Sequence, residues 1–444
     1  MSMNDTPRGE RIHIAFFGRR NAGKSSLVNA ITNQQMSIVS DVRGTTTDPV
    51  VKSMELLPLG PVVITDTPGF DDEGTLGDLR VNKTREILRR TDVAVLVADS
   101  SQGMSDCDRE LLKLFEEQGT PCILAWNKSD LLEDSTLPRG GKPEADGSRK
   151  GDKPEADGSQ KGDKLEADGS QMPGGLNAGT DPSAVQITVS ALTGENVQEL
   201  KEEIARIGRL AEAKKERPLI FDLIRPMDLV ILVIPIDFAA PKGRLILPQV
   251  QVIRDALDHG ARVMCVRETE LAQTLEKLNE KPALVITDSQ AFKAVDRIVP
   301  QDIPLTSFSI LMARYKGALK IQLKGIRALK ELKDGDRILI SEGCTHHRQC
   351  GDIGTEKIPR WIRQYSGKEL IFETSSGLSF PEDLREYAVV IHCGACMLNE
   401  KEVASRNKRA IEQQVPITNY GMTIAEVNGI LDRALRVIPE SDKW

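Results

Sequence analysis

Short apolar runs alternate along this chain with stretches whose apolar residues recur every three or four positions, the pattern of strands and the helices that cover them. Ile12-His13-Ile14-Ala15-Phe16-Phe17 is the first such run, and a glycine-bearing segment from Gly18 to Ser25 leads from it into a helix over 26–32. Buried strands are predicted at 62–65, 93–98, 121–126 and 185–189, with a helix over 196–213 closing the first series. A second series begins with the apolar run between Asp228 and Asp237. It continues with a helix presenting Val250, Ile253 and Leu257 on one face and stopping at Gly260. A strand at 261–266, a helix over 270–278, a strand at 283–287 and a helix over 292–299 follow. After Pro304 the pattern predicts a helix over 311–332, a turn at Lys333-Asp334-Gly335-Asp336, and strands around Arg337–Ile340 and Ala388–Ile391. The divisions fall at 1–213, 217–303 and 304–444, with the charged linker Lys214-Lys215-Glu216-Arg217-Pro218 after the first.

One stretch breaks the pattern. Lys142-Pro143-Glu144-Ala145-Asp146-Gly147-Ser148-Arg149-Lys150-Gly151-Asp152 recurs from Lys153 and, decaying, from Lys164. An eleven-residue period suits a helical supercoil, but proline, glycine and the want of apolar residues exclude one. The segment, about 138–183, is expected to be a disordered insertion in the first domain.

Composition narrows the function classes. The 444 residues are 39% hydrophobic and 28% charged, ordinary for a globular protein with several cores. A net charge of −7 and 4% aromatics argue against a broad nucleic-acid surface or a stacking platform for single strands. The amino terminus lacks the apolar core of a signal peptide, and no run reaches the length of a membrane helix. Seven cysteines, gathered toward the carboxyl end, do not form a secreted disulfide framework. The expectation is a reduced, cytoplasmic protein that binds neither membrane nor nucleic acid.

The first domain carries ordered phosphate and base motifs. Gly18-Arg19-Arg20-Asn21-Ala22-Gly23-Lys24-Ser25 has the G-x-x-x-x-G-K-S spacing between a strand and a helix that a P-loop needs. Its backbone amides, with that of Ser26, and the helix amino terminus favour bound phosphate. Lys24 reaches the β- and γ-phosphates and Ser25 ligates Mg²⁺. Asp66-Thr67-Pro68-Gly69 ends the next strand, where Asp66 can hold Mg²⁺ and the Gly69 amide can sense the γ-phosphate. Asn127-Lys128-Ser129-Asp130 supplies a carboxylate, Asp130, to pair with guanine N1–H and its exocyclic amine, a pattern adenine lacks. Ser190-Ala191-Leu192 offers a backbone amide to guanine O6. Together these motifs specify a GTP site.

The set resembles GTPases of the TrmE–Era group. Gly44-Thr45-Thr46-Thr47-Asp48 is similar to their switch I, with Thr47 where they carry arginine, and the resemblance makes Thr46, beside Thr45, a Mg²⁺ ligand. Asn21 matches the asparagine that coordinates K⁺ in potassium-activated members. Phe70 stands where many GTPases carry a water-orienting glutamine, so hydrolysis is expected to be slow without K⁺ or an acidic residue among Asp71, Asp72 and Glu73. The catalytic set is read as Lys24, Thr46, Asp66 and Gly69. The fold class is therefore α/β, a P-loop GTPase domain followed by two smaller α/β domains with mainly parallel sheets. The middle domain has no phosphate loop, since Asp237-Phe238-Ala239-Ala240-Pro241 is a poor one, and is read as serving self-association.

Chemistry returns near the carboxyl end. Ile391-His392-Cys393-Gly394-Ala395-Cys396 and Cys344-Thr345-His346 each follow a β-rich run, so both can open on one crevice at the ends of neighbouring parallel strands. Three thiolates with an open position suit an iron–sulfur cluster; the same atoms suit tetrahedral zinc, and Cys393 with Cys396 alone could be a redox pair. Cys107, Cys122 and Cys265 read as packing residues, and His13 and His259 as structural.

Cys-x-His, forty-five residues, then His-Cys-x-x-Cys, behind a TrmE–Era-type GTPase, resembles the [FeFe]-hydrogenase H-cluster maturation GTPase family, HydF, over essentially the whole chain except the repeat insertion. That resemblance implies a dimerisation domain and a [4Fe-4S] cluster held by Cys344, Cys393 and Cys396 with a non-cysteine fourth position. It also implies carriage of a diiron precursor to apo-[FeFe]-hydrogenase, in company with radical-SAM maturases. His346 and His392 match the motif, but a cluster needs only one more ligand, so at least one of them is expected to hydrogen-bond behind the metal. His347 reads as solvent-facing or structural, and Cys350 as a packing thiol or a substitute ligand. The rival readings are an RNA-modification or ribosome-assembly GTPase with structural zinc and a disulfide-sensing GTPase.

Overall fold

The computed structural model describes residues 6, 8–33, 49–69, 77–132, 185–213, 217–236, 245–343, 352–377 and 379–443. The expectations for Thr45, Thr46, Phe70, the repeat insertion, the Asp237–Pro241 turn, Cys344, His346, His347 and Cys350 fall outside these residues.

The first sheet has the order β2-β3-β1-β4-β5-β6, built from β1 (Ile12–Phe17), β2 (Val50–Leu56), β3 (Gly60–Asp66), β4 (Val93–Asp99), β5 (Cys122–Asn127) and β6 (Val185–Thr188). Only β2 runs antiparallel, against β3. Strand order reverses around β1, so the segment after it opens at the switch point where α/β sheets hold ligands. The period-two alternation of each strand feeds two cores. Ile14, Phe16, Val95 and Ile123 meet α1 (Lys24–Thr32), while Phe17, Leu96 and Leu124 meet the other face. That other face is covered by α2 (Gly77–Leu88) and α3 (Asp106–Glu117), the latter started by a capping box between Ser105 and Asp108. The helix α4 (Val197–Ala213) packs Leu200 and Ile204 beside α1.

The second sheet is all parallel, β10-β9-β7-β8, from β7 (Leu229–Val233), β8 (Arg262–Val266), β9 (Leu284–Thr287) and β10 (Leu305–Ser307). Its edge strand β10 lies beyond residue 303, where the sequence pattern divides the chain; three residues are too short a run to be read as a strand. The covering helices are α5 (Leu247–Asp258), α6 (Leu271–Lys277), α7 (Phe292–Ile298) and α8 (Phe308–Tyr315). On α5 the core is met by Val252 and Ala256, while Val250 and Leu257, from the predicted apolar face, are about half exposed at 48% and 56%.

The third sheet, β12-β11-β13-β14, is again all parallel, with β11 (Arg337–Glu342), β12 (Ile371–Ser376), β13 (Val389–His392) and β14 (Ile417–Asn419). Ser341 of β11 lies beside His392 of β13, so the two cysteine-bearing segments leave adjacent strands at the same level. Its helices include α9 (Leu319–Ile326), α10 (Ile358–Ser366), α11 (Glu400–Glu412) and α12 (Tyr420–Val427). The single helix expected over 311–332 is two, because Gly317 takes φ +67° and ends α8. One continuous core runs from Val230 and Ile286 through Phe308 and Leu311 to Ile340, Ile391 and Met422, joining the second and third sheets.

Candidate nucleotide and cysteine sites

At the nucleotide site the motifs converge as hydrogen-bonded neighbours. Gly18 has φ +139° and a Cβ there would lie 2.2 Å from the Val97 carbonyl, so only glycine lets the loop turn against β4. Lys24 is buried, its Nζ donating to the carbonyls of Gly18 (2.9 Å) and Arg19 (2.7 Å). Those bonds hold the ammonium under the loop that phosphates would occupy. Ser25 Oγ donates to Asp66 Oδ2 at 2.6 Å, and Asp66 Oδ1 is buried with no hydrogen-bond partner among the described residues. An orphaned carboxylate oxygen beside a serine hydroxyl fits a hard divalent cation. Gly69 abuts the P-loop, a Cβ there falling 2.7 Å from Arg20 Cα. Asn21, exposed, takes φ +62°. Ser26 lies in the first turn of α1, with its amide at the helix amino terminus.

The base-reading motifs are tied to the same loop. Asn127 Nδ2 donates to the Ala22 carbonyl (2.9 Å), and its Oδ1 accepts from the Ala191 amide (3.0 Å). Lys128 pairs with Asp99 at 2.7 Å. Burial pushes the Asp99 carboxyl up, but hydrogen bonds from Lys128 and Ser101 outweigh it and hold the group below the usual range. Asp130 is exposed and accepts from Ser190 Oγ at 2.5 Å, which orients a carboxylate still open to a base.

At the third sheet, β13 delivers the His392–Cys396 turn, in which Ala395 takes φ +53°. Cys393 Sγ accepts from the Gly343 amide (3.0 Å) and the Ala395 amide (3.4 Å). Two backbone N–H groups aimed at one sulfur favour the thiolate, and hydrogen bonds to sulfur are among the features that tune iron–sulfur clusters. Without a metal, burial pushes both the Cys393 and Cys396 thiols up; Lys316 acts against that at Cys396. A bound metal must therefore take the proton's place. Among the described residues no three His, Cys, Asp or Glu side chains form a metal-binding group. Two thiols fit a soft metal centre, for which two ligands alone are too few.

His392 stands behind this turn. Its Nε2 lies 2.9 Å from Arg406 Nη1, and arginine can only donate, so Nε2 accepts and Nδ1–H donates to the Cys393 carbonyl (2.9 Å). Burial, then the Arg406 charge, lowers the imidazole to about 3, keeping it neutral. Both ring nitrogens are thus engaged, and the ring fixes the cysteine backbone. Arg406 is buried, pairs with Glu402 (2.8 Å), donates to the Gly377 carbonyl and lies over the Phe380 ring. Sequence alone shows Glu402 and Arg406 only as an i, i+4 pair indistinguishable from a surface one.

The residues after Cys396 reach the first domain. Asn399, which caps α11, donates to the Arg90 carbonyl (2.7 Å), and Lys401 Nζ donates to the Thr91 carbonyl (2.5 Å) and Thr120 Oγ1 (2.6 Å). No motif announces these contacts.

Comparison with known proteins matches three segments: residues 13–128 to a 50S ribosome-binding GTPase family, 219–317 to the Hydrogen maturase F dimerization domain, and 320–437 to the Hydrogen maturase F tetramerization domain. Curated relatives include GTPase Der of a Nitratiruptor species, 36% identical over 127 residues, which are 28% of this chain and 27% of that protein. The tRNA modification GTPase MnmE of a Roseiflexus species is 34% identical over 195 residues, 44% of this chain and 35% of that one. The chain thus spans about a third or less of the length of these relatives. Among solved structures, Aquifex aeolicus Era bound to GDP·AlF4⁻ aligns with a TM-score of 0.31 and 18% identity, over 57% of this chain and 92% of that one.

Proposed function

From the chain's membership of the HydF-type hydrogenase maturase GTPases, carried by its two hydrogen maturase F domains behind a GTPase domain, we propose that it is a GTP-hydrolysing scaffold and carrier in [FeFe]-hydrogenase maturation. Its cargo on this reading is the diiron subcluster precursor, handed to apo-hydrogenase. Cys344, Cys393 and Cys396 would hold a resident [4Fe-4S] cluster, which supplies an iron with an exchangeable position. The observation that carries the reading is the pair of backbone amides on Cys393 Sγ, at the ends of adjacent parallel strands.

The chain's own residues divide the work. Gly18, Asn21, Ala22, Gly23, Lys24, Ser25 and Ser26 cradle the phosphates, with Ser25, Thr46 and Asp66 around Mg²⁺ and Gly69 against the γ-phosphate. Thr45 belongs to the same switch, and Asn127, Lys128, Asp130, Ser190 and Ala191 hold guanine. His392 orients Cys393 through its carbonyl, and His346 is the motif histidine proposed as a ligand. Nucleotide state reaches the cysteine turn through α2, whose end leads into Arg90 and Thr91, the groups that Asn399 and Lys401 grip. The outward Val250 and Leu257 of α5, beside the edge strand β8, support self-association as a homodimer through the second sheet. Hydrolysis is slow and accelerated by K⁺ through Asn21; exchanging K⁺ for Na⁺ at constant ionic strength should slow phosphate release, and Asn21→Ala should abolish the difference.

The transfer claim is tested with protein isolated from cells that also produce the radical-SAM maturases. Mixed with apo-[FeFe]-hydrogenase, it should restore hydrogen evolution, and protein from cells lacking those maturases should not. Equal failure of both preparations, with the hydrogenase competent toward a known activation route, would refute the carrier role.

A further inference from the structure

The buried charge nearest the cysteine turn comes from neither cysteine segment. Lys316 follows α8, in the part of the chain that matches the dimerization domain, and is 6% exposed. Its Nζ donates to the carbonyls of Ala395 (2.8 Å) and Leu398 (2.7 Å), bracketing Cys396. Ala395 is also the residue whose amide donates to Cys393 Sγ and whose φ is +53°. Lys316 thus holds, by its carbonyl, the residue whose amide is aimed at sulfur.

Among the described residues no carboxylate pairs with this ammonium. Glu400 is paired with Arg217 (2.7 Å) and Glu402 with Arg406. Isolating an ammonium from water is costly unless an opposite charge compensates it. Lys316 also lines the small cavity bounded by His392, Cys393, Gly394 and Arg406. Of the groups near it that can carry negative charge, the two thiols belong to this turn, while Glu10 and Glu400 lie outside it. Burial pulls the Lys316 ammonium down, and Glu10, Cys396, Cys393 and Glu400 act in the opposite direction. Glu10 and Glu400 share the compensation of this ammonium, and thiolates at Cys393 and Cys396 would add to it.

We propose that Lys316 is a positioning residue of the cysteine site, clamping the Cys393–Cys396 turn through two carbonyls and supplying the fixed positive charge that compensates the thiolates. A positive charge beside an iron–sulfur cluster stabilises its more negative, reduced form and raises its reduction potential. Through Lys316 the segment that matches the dimerization domain therefore sets the electron affinity of a centre held by the third sheet. This rests on the reading of Cys393 and Cys396 as cluster ligands.

The test compares full-length protein reconstituted with iron and sulfide without oxygen, as wild type, Lys316→Met, Lys316→Gln and Lys316→Arg. Iron per chain and the midpoint potential from an EPR-monitored titration are the readouts, with GTP binding and a thermal melt as controls for folding. Lys316→Met should lose iron severalfold while GTP affinity stays within twofold. Lys316→Gln, which can still donate to a carbonyl, should keep more iron but titrate at a more negative potential, and Lys316→Arg should stay near wild type. Unchanged iron and potential in both neutral variants would overturn the inference alone. An Lys316→Arg potential displaced as far as that of Lys316→Gln would overturn the charge role. A wild type that takes up no cluster would overturn the ligand reading and this inference with it.

Discussion

The nucleotide site and the cysteine site occupy equivalent places, each at the carboxyl ends of parallel strands, yet they are built differently. The nucleotide site is assembled within one domain from contiguous motifs. Its polar atoms bond one another: Asn127 to Ala22 and Ala191, Ser25 to Asp66, Ser190 to Asp130. The cysteine site takes its thiols and the buried Arg406 from one sheet and its helix α11, the buried Lys316 from the segment that matches the dimerization domain, and its outer contacts from the first domain. A site made of one domain's loops can work alone. A site on which three domains converge is placed to respond to the others.

The largest expected effects separate the two sites. Cys393→Ser should reduce bound iron to near the blank while GTP affinity stays within about twofold, measured by metal analysis and nucleotide titration. Asp130→Asn should do the reverse. Two hydrogen bonds to a charged acceptor at about 1.5 kcal/mol each correspond to roughly a hundredfold weaker GTP binding. Loss of both properties in either variant would mean that the sites are not separable and the comparison fails.

A smaller effect sharpens the account of the outer frame. Arg406→Met leaves Glu402 buried without its partner and the His392 Nε2 without its donor. Breaking a buried pair costs about 3 kcal/mol, so the urea midpoint of the third domain should fall and the iron centre should be lost at lower denaturant than in wild type. An unchanged midpoint would show that the His392–Arg406 bond does not hold the turn. Smallest of all is Arg89→Ala, which removes a pair with Glu382, itself 73% exposed. Exposed pairs contribute less than about 1 kcal/mol, so stability should barely move; a large drop would mean that the contact between the first and third domains is stronger than the exposed pair suggests.

How legible each site is follows from the same difference. Strands β1, β4 and β5 are mostly apolar runs, and the loops after β1 and β5 carry their chemistry in adjacent residues, so sequence spacing reaches both fold and ligand. The polar edge strand Ile371–Ser376 and the three-residue strands at 305–307 and 417–419 lack that periodicity; tertiary pairing makes them strands. The outward turn of Val250 and Leu257 on α5 could not be read either, because an apolar stripe looks the same whether it meets the core or a partner. The thiols of Cys393 and Cys396 were visible as a pair. The roles of Lys316, Arg406 and Lys401 were not, since a lysine or arginine on a helix reads as a solvated charge until the fold buries it.

The most direct test of the central claim is metal and acid-labile sulfide analysis of full-length protein purified and reconstituted without oxygen, with its visible spectrum. The account predicts about four irons and four sulfides per chain, the stoichiometry of a [4Fe-4S] cluster, with a brown chromophore lost in Cys344→Ser. One tightly held zinc with no sulfide, persisting through reconstitution, would contradict it.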